Sequence, residues 1–210
     1  MQNLMPWDQR LARILVRPLA KTPLTPNQLT LFTLIIALAG AGLLATGNPT
    51  HTNWGAGLFI LARFMDHFDG ELARLTGKTS KLGYYLDYLA GAGSYAALFL
   101  GIGLGLRESA LGPWAIGLGL AAGTGAVLSM FLNIKRDKQE AFEDGEAIGY
   151  PGFAGFELED GIYLFGPITW AGFLMPFFAL AASGAVIYTL WTLFMVLKKA
   201  AASRPPKTQA

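Results

Sequence analysis

The chain has 210 residues, of which 53% are hydrophobic and 14% are charged, and its formal net charge is +2. Soluble globular domains carry about 25% charged residues, so this composition argues against a soluble protein and for one compact membrane-embedded domain. The small net charge excludes a nucleic acid polymer as an expected partner, and the absence of cysteine excludes disulfides and thiolate metal sites.

The first 27 residues are predicted to form an amphipathic helix and a lead-in segment at the membrane surface. Apolar side chains recur there at helical spacing, with arginines on the opposite face: Leu4, Trp7, Leu11, Ile14 and Leu15. This pattern is typical of a helix that lies in the interface between lipid and water. A soluble helix packed on the loops is the alternative.

Residues 28–200 are predicted to cross the membrane six times, because one helical crossing takes about 20 mostly apolar residues. The predicted spans are 29–47, 54–75, 81–106, 111–134, 161–179 and 181–199. Pro176 and the stretch "AASGA" at 181–185 favour a turn between the last two, although one long helix is the alternative. The predicted fold class is therefore an all-α integral membrane protein with one domain over 1–203 and a disordered tail at 204–210.

The distribution of lysine and arginine predicts the orientation of the six spans. The N-terminus, the 75–81 link, the 135–160 loop and the tail all carry basic residues, whereas the links on the other side carry only Arg107. Because basic loops stay in the cytoplasm, these segments are predicted to face it. The chain is thus predicted to be a multi-pass protein of the inner (plasma) membrane.

Acidic residues are concentrated where the second and third predicted spans meet. Asp66 and Asp69 are three residues apart and share a helix face, and Gly83, Asp87 and Gly91 follow at four-residue spacing on the next helix. Two antiparallel helices with a short link would bring the three carboxylates together. Such oxygen ligands suit Mg²⁺, Mn²⁺ or Ca²⁺, and Mg²⁺ is commonly shared with a substrate's phosphates. The alternative is a set of solvated loop acids paired with nearby basic side chains.

These residues resemble the signature of the CDP-alcohol phosphotransferase (CDP-alcohol phosphatidyltransferase) family. The signature Asp-x2-Asp-Gly-x2-Ala-Arg-x8-Gly-x3-Asp-x3-Asp is matched, up to its last position, by Asp66, Asp69, Gly70, Ala73, Arg74, Gly83 and Asp87. The stretch "TPNQLT" at 25–30 is also similar to the family's lead-in. The resemblance implies a homodimeric enzyme of phospholipid synthesis that transfers a substituted phosphate group from a CDP-alcohol, such as CDP-diacylglycerol, to an acceptor alcohol and releases CMP.

The resemblance also implies roles for individual residues. Asp66, Asp69 and Asp87 are expected to ligate Mg²⁺ or Mn²⁺ at the donor's diphosphate. The expected nucleotide-binding residues are Asp66, Asp69, Gly70, Ala73, Arg74 and Gly83. For the acceptor, the available cations are Arg63, Lys135 and Arg136, although Arg63 is equally compatible with a role in helix pairing or snorkelling.

Gly91 stands where the signature has its fourth aspartate, the residue to which the family assigns the role of general base. One interpretation is an enzyme whose base comes from elsewhere, and the candidates are the acids at the entry of the fifth span: Glu157, Glu159 and Asp160. Those acids could instead cap that helix or complement its dipole. A second interpretation is a protein that binds a CDP-alcohol and metal without turnover, as a sensor or partner subunit. A transporter is the third, but the chain lacks the paired interrupted spans of that class.

Overall fold

The computed structural model describes the backbone of residues 6–140, 152–153 and 156–202, and the side chains of residues 6–132 and 161–198. Seven α-helices lie within these ranges: α1 (Trp7–Val16), α2 (Pro26–Ala45), α3 (Pro49–Thr76), α4 (Lys81–Gly105), α5 (Trp114–Glu140), α6 (Phe165–Trp170) and α7 (Leu174–Ala202). Two 3₁₀ segments, Leu19–Lys21 and Leu158–Leu164, and two short antiparallel strands, β1 (Gly152–Phe153) and β2 (Phe156–Glu157), complete the described chain. The predicted tail at 204–210 lies outside the described residues.

Capping side chains determine where the helices that surround the acidic cluster begin. Thr25 and Gln28 form a reciprocal capping box at α2, which gives the "TPNQLT" lead-in a structural role. Asn48 caps α3, so that helix begins at Pro49 rather than near the predicted residue 54. Ser80 caps α4 by accepting a hydrogen bond from the Gly83 N–H at 3.0 Å. Each cap fixes where a long apolar helix begins.

Four helical segments are long and apolar enough to cross a membrane: Pro26–Ala45, Lys81–Gly105, Trp114–Leu132 and Leu174–Lys198. Helix α3 has 28 residues, which is also enough length, but it carries the acidic cluster. Large apolar side chains such as Ile35 (62% exposed), Leu180 (76%) and Ile187 (67%) point outward from the bundle. Outward-facing apolar side chains on long helices are what a lipid environment requires, and the chain is an integral membrane protein.

Helices α2, α3 and α4 form the tightly packed centre of the bundle. Gly40 and Gly55 meet where α2 crosses α3, and a Cβ on Gly55 would lie 2.6 Å from the Gly40 carbonyl oxygen. Phe59 of α3 is fully buried, and its ring lies 5.9 Å from Tyr95 of α4 and 6.1 Å from Phe165 of α6, measured between centroids. Close glycine contacts and these aromatic rings fix the relative positions of the helices that carry the acids.

The predicted turn at 181–185 is wrong, because α7 runs through it without interruption. Pro176 lies in the first turn of α7, where a helix requires no N–H donor, so it favours a helix start there rather than a break. The chain turns earlier, between Trp170 and Leu174, where Gly172 has a φ of +83° that disfavours other residues. The predicted fifth span, 161–179, is accordingly replaced by the 3₁₀ segment, α6 and the start of α7.

The stretch 158–170 runs along α3 from the acidic end of the bundle to the opposite end. Its Tyr163 hydroxyl donates to Asp8, which also contacts His67 of α3, whereas its Trp170 Nε1 donates to the carbonyl oxygen of Asn53 at 3.0 Å. Asn53 and His67 lie about 21 Å apart along α3, at about 1.5 Å per residue. The stretch 158–170 therefore carries the chain from the acidic end of the bundle to the opposite end before α7 begins. The count of six crossings stays a prediction.

Helix α1 confirms the predicted N-terminal helix between residues 7 and 16. Ala12 and Val16 are fully buried, and α1 packs against α3. Leu11, Ile14 and Leu15 are 41%, 60% and 47% exposed. The helix thus has one face on the protein and an apolar face turned away from it, as an interfacial position would require.

Candidate active site

The three aspartates of the predicted cluster lie at one end of the α3–α4 pair. Helix α3 ends at Gly77, in the left-handed conformation with a φ of +68°, and α4 begins at Lys81, so the link is short. Asp69 is 6% exposed, the Asp66 side chain is 19% exposed, and Asp87 is open to solvent. Asp69 lies about two helical turns before the link on α3, and Asp87 lies about two turns after it on α4. Helices α3 and α4 both pack against α2 rather than closely against each other, so the short link places the three acids at one end of the bundle without bringing their carboxylates into contact.

Asp69 is held by hydrogen bonds from two directions. The hydroxyl of Thr30, a buried residue on α2, donates to one carboxylate oxygen, and the Gly70 N–H donates to the other at 2.6 Å. The sequence does not reveal this role of Thr30, although Thr30 is the last residue of the "TPNQLT" lead-in. Helix α2 thus orients the most buried of the three carboxylates.

Asp66 is paired with Arg63, the predicted acceptor-binding cation one turn earlier on α3. The two side chains approach to 2.8 Å, and the Arg63 guanidinium lies 5.2 Å from the ring centroid of Tyr95 on α4. Tyr95 is one turn beyond Gly91. Arg63 therefore lies between the acidic motif and the part of α4 where the fourth acid is missing.

Arg74 lies across Gly70 and is held there by Glu71. A Cβ on Gly70 would be 3.5 Å from the Arg74 guanidinium nitrogens, and Arg74 Nη2 is 2.7 Å from the Glu71 carboxylate. Glu71 is 4% exposed, whereas the Arg74 side chain is 62% exposed. A buried acid thus orients a cation that remains accessible to a ligand. Ala73 lies one residue before it, partly buried.

Gly83 and Gly91, the two glycines of interest on α4, differ in their surroundings. A Cβ on Gly83 would lie 3.1 Å from Asn27 Oδ1 and 3.2 Å from Ser80 Oγ, so the start of α2 closely approaches α4 there. A Cβ on Gly91 would meet nothing within 4 Å. Among the described residues, no side chain therefore occupies the position of the missing acid.

The donor chemistry of the three aspartates suits a hard divalent cation, but the described side chains are not gathered around one point. No group of three acidic or histidine side chains within the described ranges is close enough to hold a metal ion. Asp66 is turned toward Arg63, and Asp69 toward Thr30 and its own helix. One oxygen of Asp66 and both oxygens of Asp69 thus accept hydrogen bonds from the protein.

Asp8 is another acidic side chain near the cluster, and the sequence gives no sign of its position there. Asp8 of α1 is 4% exposed; its carboxylate lies 2.8 Å from Nε2 of His67 and accepts a hydrogen bond from Tyr163 at 3.0 Å. The contact with Tyr163 joins residues separated by 155 positions. No local pattern signals such a contact.

Five predicted site residues have side chains outside the described residues: Lys135, Arg136, Glu157, Glu159 and Asp160. The backbone places Lys135 and Arg136 in the last turns of α5. Glu157 ends β2, and Glu159 and Asp160 begin the 3₁₀ segment that leads to Tyr163. Their roles stay predictions.

Comparison with known proteins gives consistent results at the levels of family, sequence and fold. Residues 23–197 match the family model described as CDP-alcohol phosphatidyltransferase. Archaetidylinositol phosphate synthase from Pyrococcus horikoshii is 38% identical over 90 residues, which is 42% of this chain and 46% of that protein. A bifunctional IPC transferase and DIPP synthase from Rubrobacter xylanophilus is 38% identical over 87 residues, 41% of this chain and 19% of that protein. The matches thus span less than half of either curated relative.

Solved structures of phosphatidylinositol phosphate synthase from Mycobacterium tuberculosis share the fold. The structure with CDP-DAG bound has a TM-score of 0.60 at 20% identity, covering 88% of this chain and 94% of that one. The complex with manganese and citrate has a TM-score of 0.59 at 19% identity, covering 87% and 88%. The likeness at this identity concerns the fold, while the family model extends over most of the sequence. The chain belongs to the CDP-alcohol phosphatidyltransferase family.

Proposed function

We propose that this protein transfers a substituted phosphate group from CDP-diacylglycerol to an acceptor alcohol and releases CMP. The observation that carries the proposal is the placement of Asp66, Asp69 and Asp87, at the signature spacing, on α3 and α4 near the short link between these helices. The presence of CDP-DAG in the Mycobacterium tuberculosis structure supports this choice of donor. We propose that the acidic end faces the cytoplasm in the plasma membrane, that the chain crosses six times, and that it works as a homodimer.

Asp66, Asp69 and Asp87 would hold Mg²⁺ or Mn²⁺, and the use of a divalent metal in the family is supported by the manganese complex of the mycobacterial enzyme. A divalent cation supplies positive charge that neutralises diphosphate oxygens and stabilises the leaving CMP. Thr30 keeps the Asp69 carboxylate oriented. Arg63 gives up its ion pair with Asp66 when the CDP-diacylglycerol donor binds. This assigns Arg63 a counter-ion role before the substrate arrives.

The nucleotide would lie along α3 and α4 where small residues leave room for it. Gly70, Ala73 and Gly83 admit the cytidine part, and Arg74 meets phosphate because Glu71 holds its guanidinium across Gly70. A charge placed in advance beside a developing negative charge stabilises the transition state without having to move. Glu71 is thereby a positioning residue for Arg74.

The general base comes, in this proposal, from the acidic stretch that contains Glu157, Glu159 and Asp160. Asp160 is three residues before Tyr163, and Tyr163 is joined through Asp8 to His67, the neighbour of Asp66. The short chain connection thus brings this stretch to the acidic end of the bundle. A carboxylate there takes the proton from the acceptor hydroxyl, which the glycine at position 91 cannot do.

We propose a phosphorylated polyol of the inositol phosphate class as the acceptor. Archaetidylinositol phosphate synthase and phosphatidylinositol phosphate synthase, the relative and the fold neighbour, are both named for such products. Arg63, Lys135 and Arg136 are the cations proposed to hold the acceptor's phosphate. A panel of neutral alcohols beside inositol 1-phosphate tests this choice, because only the phosphorylated acceptor depends on those cations.

Release of CMP by the purified protein in lipid, with Mn²⁺ or Mg²⁺ and CDP-diacylglycerol, tests the proposed reaction. We expect Asp69→Asn to abolish release and one change among Glu157→Gln, Glu159→Gln and Asp160→Asn to lower it 10²–10⁴-fold, as loss of a general base typically does. The open space at Gly91 favours a second candidate, a binding protein without turnover. CMP binding with metal but no release, together with release by Gly91→Asp alone, would establish that candidate instead.

A further inference from the structure

Asp8 forms a buried junction between three separate segments of the chain. One carboxylate oxygen accepts the N–H of Gln9 at 2.7 Å, and the other lies 2.8 Å from His67 Nε2 and 3.0 Å from the Tyr163 hydroxyl. The residue is 4% exposed. A buried carboxylate is costly unless its hydrogen bonds are made, so this junction is stable in one arrangement of α1, α3 and the segment 158–164.

Helix α1 contacts α3 on both sides of Asp69. The Asp8 contact is to His67, and a second charged contact joins Arg13 Nε to the buried Glu71 carboxylate at 4.0 Å. His67 and Glu71 are four residues apart and share a face of α3. They occupy positions that the signature leaves variable, so family membership does not account for them.

Tyr163 links the same junction to the stretch after the acidic loop. Its ring makes an edge contact with Trp7 of α1, with centroids 5.2 Å apart, in addition to its hydrogen bond to Asp8. Tyr163 lies near the end of the 3₁₀ segment Leu158–Leu164. Besides its direct packing on α3, that segment is therefore also tied to α3 through α1.

We propose that Asp8 is a positioning residue that fixes the segment 158–164 against the acidic motif of α3. Ala12 and Val16 already hold α1 to α3 by apolar packing, which does not by itself specify how α1 is placed along α3. The directional bonds of Asp8 specify that placement and extend it to Tyr163. The proposal rests on the proposed function in one respect: the segment it positions contains the candidate bases Glu159 and Asp160.

The test combines backbone hydrogen exchange with kinetics in lipid nanodiscs. The variants are Asp8→Ala, Asp8→Asn and Tyr163→Phe, and Glu108→Ala is the matched control because Glu108 is an exposed acid, 87% exposed in its side chain, outside the described junction. We expect exchange in 158–164 to become about tenfold faster in Asp8→Ala and Tyr163→Phe, as loss of a hydrogen bond to a charged group predicts. Asp8→Asn keeps an acceptor oxygen and should fall between these variants and the wild type.

We expect kcat to fall about tenfold or more in the same two variants, while KM for CDP-diacylglycerol and binding of CMP with Mn²⁺ stay within about twofold, since the donor side is held by α2, α3 and α4. A general loss of structure would change all of these quantities together. Tyr163→Phe removes a single hydroxyl, so it keeps the test informative if Asp8→Ala fails to fold.

Unchanged exchange in 158–164 would overturn the proposal, as would faster exchange with an unaltered kcat. If the wild type releases no CMP from any donor and acceptor, the proposed function fails. The hydrogen-exchange measurement alone then decides whether Asp8 positions the segment 158–164. Faster exchange confined to 158–164 and α1 would then support the junction, and exchange like that of Glu108→Ala would overturn it.

Discussion

Thr30 of α2 donates a hydrogen bond to the buried carboxylate of Asp69 on α3, and this contact links the lead-in of the first long helix to the acidic motif. Thr30 is 3% exposed and Asp69 is 6% exposed. Because the bond lies in the interior of the bundle, it constrains the carboxylate more than a solvent-exposed contact would. The lead-in and the signature, which are distant in sequence, thus act on the same side chain.

Replacing Thr30 by valine should raise the concentration of Mn²⁺ or Mg²⁺ that gives half-maximal CMP release by 10–100-fold, the usual effect of removing a hydrogen bond that orients a metal-ligating group. Thr30→Ser should restore most of the affinity, because serine keeps the hydroxyl. Thr33→Val is the matched control, since Thr33 is equally buried on α2 at 5% exposure. Equal metal dependence in Thr30→Val and Thr33→Val would contradict the orienting role of Thr30.

Alanine at the two α4 glycines Gly91 and Gly101 should have opposite effects on stability. Gly91→Ala enters open space, so the helix should gain roughly 0.5–1 kcal/mol from the lower entropy of its unfolded chain. Gly101→Ala would overlap the Ala41 carbonyl on α2 and should lose about 1–3 kcal/mol. Thermal unfolding in detergent measures both. A loss of stability at Gly91 would show that its surroundings are filled.

Glu71→Gln should raise KM for the CDP-alcohol donor about tenfold with a smaller change in kcat, because a neutral partner holds the exposed Arg74 guanidinium less firmly. Arg74→Ala should raise KM at least as much. The double variant should raise KM no more than Arg74→Ala does, since Glu71 acts on the donor through its contact with Arg74. Additive losses in KM would mean that Glu71 acts independently of Arg74.

Removal of divalent metal should abolish CMP release and lower the thermal unfolding midpoint. A bound ligand at 100 times its Kd stabilises the folded state by about 2.7 kcal/mol, so re-addition of Mn²⁺ should raise the midpoint again. Asp87→Asn should remove this metal-dependent shift, whereas Glu108→Gln, at an exposed acid outside the cluster, should keep it. A shift that persists in Asp87→Asn would remove Asp87 from the proposed ligand set.

The helices and the acidic cluster could be predicted because both depend on local patterns. Apolar runs predicted α2 to α5 to within about six residues at each end, and the spacing of Asp66, Asp69 and Asp87 predicted that they lie at one end of the bundle. The start of α7 could not be predicted in the same way. A proline can interrupt a helix or begin one, and the positive φ of Gly172, which decides between these, is not visible in composition.

Contacts between distant segments could not be predicted from the sequence. Asp8 is an ordinary acidic residue in the first turn of a surface helix, where an exposed position is the default expectation. Its burial depends on His67 and on Tyr163, which lies 155 residues away. Thr30 stands out in the sequence only as part of the "TPNQLT" lead-in, because nothing in the sequence reveals which acid its hydroxyl contacts.

The stretch 158–170 reaches about 23 Å, from seven 3₁₀ residues at about 2.0 Å and six α-helical residues at about 1.5 Å each. The hydrocarbon layer of a bilayer is about 30 Å thick, so we expect lipid beside this stretch to be locally thinner if the chain crosses there as proposed. Thinning lowers the headgroup plane toward the middle of the membrane. In the proposed reaction, this thinning would bring the polar part of a diacylglycerol lipid closer to the acidic end of the bundle while its acyl chains stay in the hydrocarbon layer.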